Sequence, residues 1–364
     1  RPAYDELEPK IATARTTSRS FLIVLQVRLF RNGCQITAEE KTGRGPSKST
    51  AKFLPANGIN CVILLNDLFR HRKLARPSQS REQGHWQETM PMNTLPIAFT
   101  TLAFPDATLA EATSLGRSWG YAGVELRLID GQVFDSSISA AERARVKKTI
   151  ADSGLPIVIV DSMILVTAEG VGPELHRFLE LANDWESPLI RIYGGPLNEE
   201  PSARRRQMEA ATRVLQEAVP LAERLGVAMA IETHDSFSAS SVVAELLATV
   251  DSKAVGALWD TLHPHRMGES PVEVYQNFGP RVLHVQIKDA RRSAEHKHGW
   301  QLMQLGEGEV PIREIIALLA AQGYRGYLSV EWEKYWQPEI EVPEIALPQH
   351  LRVLKEWAQD DDPR

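Results

Sequence analysis

From residue 95 to the C-terminus, apolar runs of strand length alternate eight times with longer amphipathic stretches. The strand candidates cover residues 95–104, 122–128, 156–161, 189–193, 227–232, 254–260, 282–288 and 327–331. Helices are predicted over residues 109–119, 139–153, 173–182, 202–225, 239–250, 271–278, 310–321 and 348–357. Asp106 or Thr108 and Ser139 are placed to cap, and Gly154 and Gly226 to stop, the helices beside them. Strands joined by helix-length crossovers pair in parallel, because a short turn cannot carry the chain back to the same end of a sheet. Eight such units in residues 92–364 fit a closed (β/α)8 TIM barrel, an architecture of about 250 residues. An open doubly wound sheet calls for a glycine-rich turn after the first strand, and residues 102–108 read LAFPDAT.

The segment ahead of this pattern has a different texture. Residues 1–91 hold 15 Lys and Arg against 8 Asp and Glu, with both cysteines, Cys34 and Cys61. Residues 92–364 hold 26 against 39 and no cysteine. A basic leader before an acidic body can be a nucleic-acid arm, a targeting segment or sequence extraneous to the fold. Its lack of sustained periodicity favours the last, so residues 1–91 are expected to be a weakly structured N-terminal extension and residues 92–364 the catalytic barrel. The apolar stretch 21–30 is interrupted by Gln26 and Arg28 and lacks a small-residue cleavage site, which makes it a poor signal peptide. Two cysteines build no disulfide scaffold, and no apolar run approaches the roughly 20 residues that span a bilayer. A cytoplasmic protein without a membrane span is the expectation.

In such a barrel the reacting groups stand at the carboxyl ends of the strands. The polar residues there are Glu125 and Arg127, Asp161, Arg191, Glu232 with His234, Asp260 with His263, Gln286 with Lys288 and Asp289, and Glu331 with Glu333. A single strand-end carboxylate reads as an ion pair or helix cap, since burying a charge is costly unless it is paired or bound to metal. Glu232, Asp260, Gln286 and Glu331, on four successive strands, read instead as one site. His234 and His263 are candidate proton donors or sugar-hydroxyl partners, the alternative for each being a solvated loop histidine. Glu125, Arg191 and Lys288 are the substrate-binding candidates, although Lys288 and Asp289 also read as an ion pair at the rim. Trp259, Trp300, Trp332 and Trp336 are expected to pack outward rather than against a substrate ring.

The stretches GYAGVELR (120–127), AIETH (230–234), WDTLH (259–263), LHVQIKD (283–289), LGEGEV (305–310) and GYRGYLSVE (323–331) resemble the xylose-isomerase-like TIM-barrel superfamily. That superfamily holds sugar phosphate isomerases and epimerases and is also labelled AP endonuclease family 2. The resemblance spans the body and none of the leader. It implies a divalent cation held by Glu, Asp, His and Glu at the ends of the last four strands, and Glu232, Asp260 and Glu331 match directly. The third position departs: Q-I-K-D puts Gln286 where histidine is usual. A glutamine carbonyl still coordinates metal, and similar barrels with dehydratase activity use glutamine there. Four oxygen ligands favour Mn²⁺ or Mg²⁺ over Co²⁺ or Zn²⁺. His284, two residues earlier on the same strand face, is the lesser alternative to Gln286 as third ligand.

The resemblance implies a metal-dependent isomerase or epimerase of a sugar or sugar derivative, with Glu232 and Glu331 as paired acid and base beside a carbonyl. The alternative is a lyase of the same superfamily, either a dehydratase of a cyclic polyol or shikimate-like acid or an enzyme that cleaves a C-linked 3-oxo-glycoside. Abasic-site cleavage is disfavoured, because the acidic body offers neither a continuous basic surface nor a histidine-rich three-zinc cluster. The expected partner is therefore a small-molecule sugar and not nucleic acid; such barrels often pair as homo-oligomers. Acidic and aromatic residues after the eighth strand favour a neutral substrate over a phosphate, with the basic 290–304 loop arguing the other way.

Overall fold

The computed structural model describes residues 95–296 and 299–360, together with the strands Ala12–Ser18, Phe21–Phe30, Gly33–Thr42 and Gly45–Phe53. The chain divides into two units, Arg1–His85 and Trp86–Arg364. Where the sequence reading expects an extension of weak structure, these four strands form an antiparallel sheet in sequential order. Consecutive strands register through Ser18↔Phe21, Phe30↔Gly33 and Thr42↔Gly45, the spacing of a tight hairpin. Thr16, Thr17, Ile23, Val24, Val27, Ile36 and Thr37 supply β-branched strand formers without the sustained alternation that would have revealed them. Cys61, Met92, Lys297 and His298 lie outside the described residues.

The second unit is a closed barrel of eight parallel strands in chain order: Ile97–Thr100, Gly123–Leu126, Ile157–Leu165, Leu189–Tyr193, Ala228–Glu232, Val255–Asp260, Val282–Ile287 and Leu328–Val330. The eighth strand pairs with the first through Leu328↔Ile97, which closes it. A helix crosses between successive strands. Thr108 caps Leu109–Trp119 in a reciprocal capping box with Glu111, Ser139 caps Ala140–Ser153, and Gly154 and Gly226 terminate their helices in the left-handed region. Among the described residues no helix is long and apolar enough to cross a membrane.

The two-residue period of a strand explains how apolar runs carry a polar site. Val124, Leu126, Ile190, Ile192, Met229, Ile231, Val285 and Ile287 join the large core beneath the helices. The opposite face fills the lumen. Its lower layer is a separate apolar cluster of Ala98, Val158, Ile159, Ala230 and Leu258. This layer is tight: a Cβ on Gly123 would collide with Val158 Cγ1. One step up the same faces stand Thr100, Glu125, Asp161, Arg191, Glu232, Asp260, Gln286 and Glu331, all buried.

Candidate active site

Two cations of the chain thread between the carboxylates of this upper layer. Arg191 Nη1 lies 3.2 Å from Glu232 Oε2, 3.5 Å from Asp161 Oδ2 and 3.7 Å from Glu331 Oε1. Its guanidinium stands 4.6 Å over the Tyr193 ring. Lys288 Nζ lies 2.9 Å from Asp260 Oδ2, 2.5 Å from Glu331 Oε2 and 2.6 Å from Glu333 Oε1. The expected Lys288–Asp289 ion pair is therefore corrected. Consecutive residues point to opposite faces, and Asp289 instead accepts from the backbone N–H groups of Ala290, Gly306, Gly308 and Val310 at 2.9 to 3.3 Å. Gly308 must stay small, because a Cβ there would strike Asp289 Oδ1.

Glu125 sits deeper. His284 Nε2 is 2.9 Å from its Oε2, and Gln286 Nε2 donates to its Oε1 at 2.6 Å. Both oxygens of this candidate substrate ligand are thus engaged inside the barrel. The same contact engages the Nε2 of His284, the lesser alternative as third metal ligand.

Burial and neighbouring charge sort the carboxyls into two groups. Burial pushes Glu232 up to about 7 against the pull of Arg191, and pushes Glu331 up to about 8 against that of Lys288. Asp161 is also raised well above its ordinary value by burial, with the Glu125 charge adding to the effect. In Asp260 burial is outweighed by Lys288, His263 and backbone hydrogen bonds, which hold it below the carboxylate range. In Glu125 burial is outweighed by His284, which holds it at about 2. Burial also drives His263 down to about 3, keeping its imidazole neutral.

Each residue of the expected metal set has a buried polar atom without a hydrogen-bond partner: Glu232 Oε2, Asp260 Oδ2, Gln286 Oε1 and Glu331 Oε2. Lys288 meets two of these oxygens at ion-pair distance but without hydrogen-bond geometry. Glu232 Oε2 also lies 3.2 Å from Arg191 Nη1, so three of the four face a cation of the chain and the Gln286 carbonyl oxygen alone among them has no partner of either kind. Nitrogen donors stand beside them. Glu232, His234 and His263 bring one ligand atom each to within 4.8 Å of one another, and His263 Nε2 is 3.6 Å from Asp260 Oδ2. The half-buried His234 ring lies 4.8 Å from both the Tyr193 and His263 rings.

The expected metal set thus lies in one layer with Arg191, Lys288 and Glu125, while the ligand atoms that converge to within 4.8 Å are those of Glu232, His234 and His263. Sequence reasoning gave no role to Tyr193, although its position two residues after Arg191 places it on the same face. The tryptophans divide: Trp259 packs edge-on against Phe278, Trp332 donates to Glu341 O at 2.9 Å, and Trp336 is exposed beside Tyr335.

A model of the family described as Xylose isomerase-like TIM barrel matches residues 114–357. Among curated proteins, the inosose dehydratase of Clostridium botulinum is 28% identical over 126 residues, 31% of this chain and 42% of that protein. The fructoselysine 3-epimerase of Escherichia coli O157:H7 is 25% identical over 153 residues, 41% of this chain and 53% of that protein. The chain spans about half the length of the curated relatives it matches. Among solved structures, the IolI protein, determined with a bound zinc atom, superposes with a TM-score of 0.60 at 16% identity, covering 74% of this chain and 100% of that one.

Proposed function

Because the chain belongs to the xylose isomerase-like TIM barrel family, we propose that it is a divalent-metal-dependent isomerase or epimerase of a sugar or sugar derivative. On this reading it works in the cytoplasm on a small-molecule substrate. The observation that carries the reading is the burial of Glu232, Asp260, Gln286 and Glu331 at the ends of four successive strands, with an unpartnered carbonyl oxygen on Gln286 and the Glu232–His234–His263 cluster beside them. Glu232, Asp260, Gln286 and Glu331 would hold the cation, which would supply Lewis-acid assistance to loss of a proton beside a carbonyl. An oxygen-only set suits Mn²⁺ or Mg²⁺, and recruitment of His263 or His234 would favour Zn²⁺.

The chain's own residues supply the proton traffic. Glu232 is proposed to take the proton and Glu331 to give one back, as a pair of carboxyl groups at the ends of the fifth and eighth strands of the barrel can. The C–H electron pair moves toward the carbonyl oxygen, and Lys288 and Arg191 are the fixed positive charges nearest to where that negative charge develops. Return of a proton to the opposite face completes an epimerisation, and return to the former carbonyl carbon an isomerisation. His234 and His263 are proposed to bind sugar hydroxyls, Tyr193 to pack beneath them.

A lyase is the second reading, favoured by Gln286 in place of histidine and by the inosose dehydratase relative. The same abstraction then expels a hydroxyl or a carbon-linked aglycone from the adjacent carbon, with Glu331 giving its proton to the leaving oxygen in the first case and to the leaving carbon in the second. Incubation in D₂O with a ketohexose, a cyclic polyol ketone, a shikimate-like acid and a 3-oxo-glycoside separates the readings. After removal of the metal, NMR should show deuterium at one carbon for epimerisation and a new double bond or free aglycone for elimination. No exchange with any of them, with Mg²⁺ or Mn²⁺ present, would count against both.

Phosphate at the substrate's end is not part of this reading. The charges around the proposed centre are predominantly carboxylates. Arg291 hydrogen-bonds Gln301, and Arg292 lies over Trp300, within their own hairpin. A preference for phosphorylated sugars above roughly tenfold in kcat/KM would overturn the neutral-substrate proposal.

A further inference from the structure

Gln286 is the only member of the proposed metal set that is not a carboxylate, and its two ends are chemically opposite. A carbonyl oxygen binds a cation; an NH₂ repels one. Which end faces the site is decided by the neighbours. One end of the amide, Nε2, lies 2.6 Å from Glu125 Oε1 and 3.4 Å from Glu331 Oε1. An oxygen at that position would set lone pairs against two carboxylates, so this end must be the NH₂ and the other end the carbonyl. That carbonyl oxygen is buried and has no hydrogen-bond partner. Glu125 is itself held by its second oxygen, 2.9 Å from His284 Nε2. An ionised carboxylate only accepts, so His284 presents its Nε2 proton.

We propose that Glu125 is a positioning residue: it locks the Gln286 amide so that the carbonyl oxygen, and not the NH₂, is turned to the cation site. The inference rests on the metal reading of the preceding section. It gives the buried Glu125–His284–Gln286 chain a purpose beyond filling the lumen, since outer partners of metal ligands set ligand orientation and commonly tune affinity by about 10- to 100-fold.

The logic of donors and acceptors makes it testable. In Glu125→Gln, one donor and one acceptor replace two acceptors. The new side chain keeps both neighbours only if His284 moves its ring proton to Nδ1; otherwise either His284 or the Gln286 NH₂ is left unpaired. A flip of Gln286 relieves the conflict and turns its NH₂ to the site. In the exchange Glu125→Gln with Gln286→Glu, residue 125 donates to residue 286 and accepts from His284, and the second oxygen of residue 286 is free for the ion. Charge and atom count are unchanged.

The experiment is Mn²⁺ titration of the metal-free full-length protein by calorimetry, with thermal unfolding of the same samples. The expected result is an affinity loss of about tenfold or more in Glu125→Leu and affinity within about threefold of wild type in the exchange variant. Wild-type affinity in Glu125→Leu, which leaves the Gln286 NH₂ no acceptor at 125 whatever the His284 tautomer, or a folded exchange variant weaker than Glu125→Gln, would overturn the proposal. Should Glu125→Leu fail to fold, the exchange variant alone decides, by binding Mn²⁺ or not. A wild-type protein that takes up neither Mn²⁺ nor Zn²⁺ overturns the metal reading itself, a result distinct from the others.

Discussion

Two residues separate the lower layer of the barrel lumen from the upper, on the same strands and the same inward faces. Ala98, Ile159, Leu189, Ala230 and Leu258 lie below; Thr100, Asp161, Arg191, Glu232 and Asp260 lie above. The lower layer is apolar and close-packed, so each side chain contributes through burial. The upper layer buries charges whose desolvation is offset by one another and by hydrogen bonds such as those of Leu262 N to Asp260 and Gln286 to Glu125, and it leaves the Gln286 carbonyl oxygen without a partner. The difference teaches where stability and reactivity are held: the first layer supports the fold, and the second works against it in the absence of a ligand.

The largest effect that tests this contrast is on turnover. Glu232→Gln or Glu331→Gln is expected to lower kcat by about a thousandfold or more, while the metal-free thermal midpoint at pH 8 stays level or rises. In the lower layer Leu258→Ala should do the reverse, costing about 2–5 kcal/mol in denaturant unfolding with kcat of the folded fraction nearly unchanged. Loss of stability in the first pair, or loss of chemistry in the second, would break the comparison.

A smaller effect lies in pH. Glu232 and Glu331 have folded values of about 7 and about 8, above the ordinary 4.5. The folded state therefore binds their protons more tightly, and the stability they contribute is full below about pH 4.5 and lost as pH rises through 7 to 8. Asp260 and Glu125, held low, act oppositely, and their contribution fades on acidification. The metal-free protein should unfold at a lower temperature at pH 8.5 than at pH 6, and Mg²⁺ or Mn²⁺ should bind more tightly at the higher pH, because metal and protons compete for the same oxygens. Melting curves at both pH values check the sign. The smallest expected change is in ion preference: Gln286→His should shift selectivity from Mn²⁺ toward Zn²⁺ by about tenfold, read by competition titration.

Much of the barrel was legible, because outward-facing Val, Ile and Leu make each strand an apolar run and glycines such as Gly154 and Gly226 punctuate the helices. Boundaries slipped where side chains intervened. The first strand stops at Thr100, whose hydroxyl accepts from Leu102 N and starts a short 3₁₀ turn at Thr101–Ala103. The last helix, Pro343–Asp360, runs through Pro348, where the sequence suggests a beginning. Strand ends pointed to the candidate site, since the inward positions at the barrel mouth follow from topology and a period of two. What stayed hidden was the pairing across the lumen. That Arg191 spans the third, fifth and eighth strands, and that Lys288 turns from Asp289 to Asp260, depends on contacts between residues far apart in sequence.

The Asp289 clamp bears on how such an enzyme changes over evolutionary time. Its carboxylate ties together the N–H groups at both feet of the hairpin formed by Asp289–Arg292 and Trp300–Met303. Insertions, deletions or wholesale exchange between those feet leave the neighbouring Lys288 anchored where it is. The hairpin and the barrel rim are in this way separable pieces of chain, and the first can drift in sequence while the second keeps its shape.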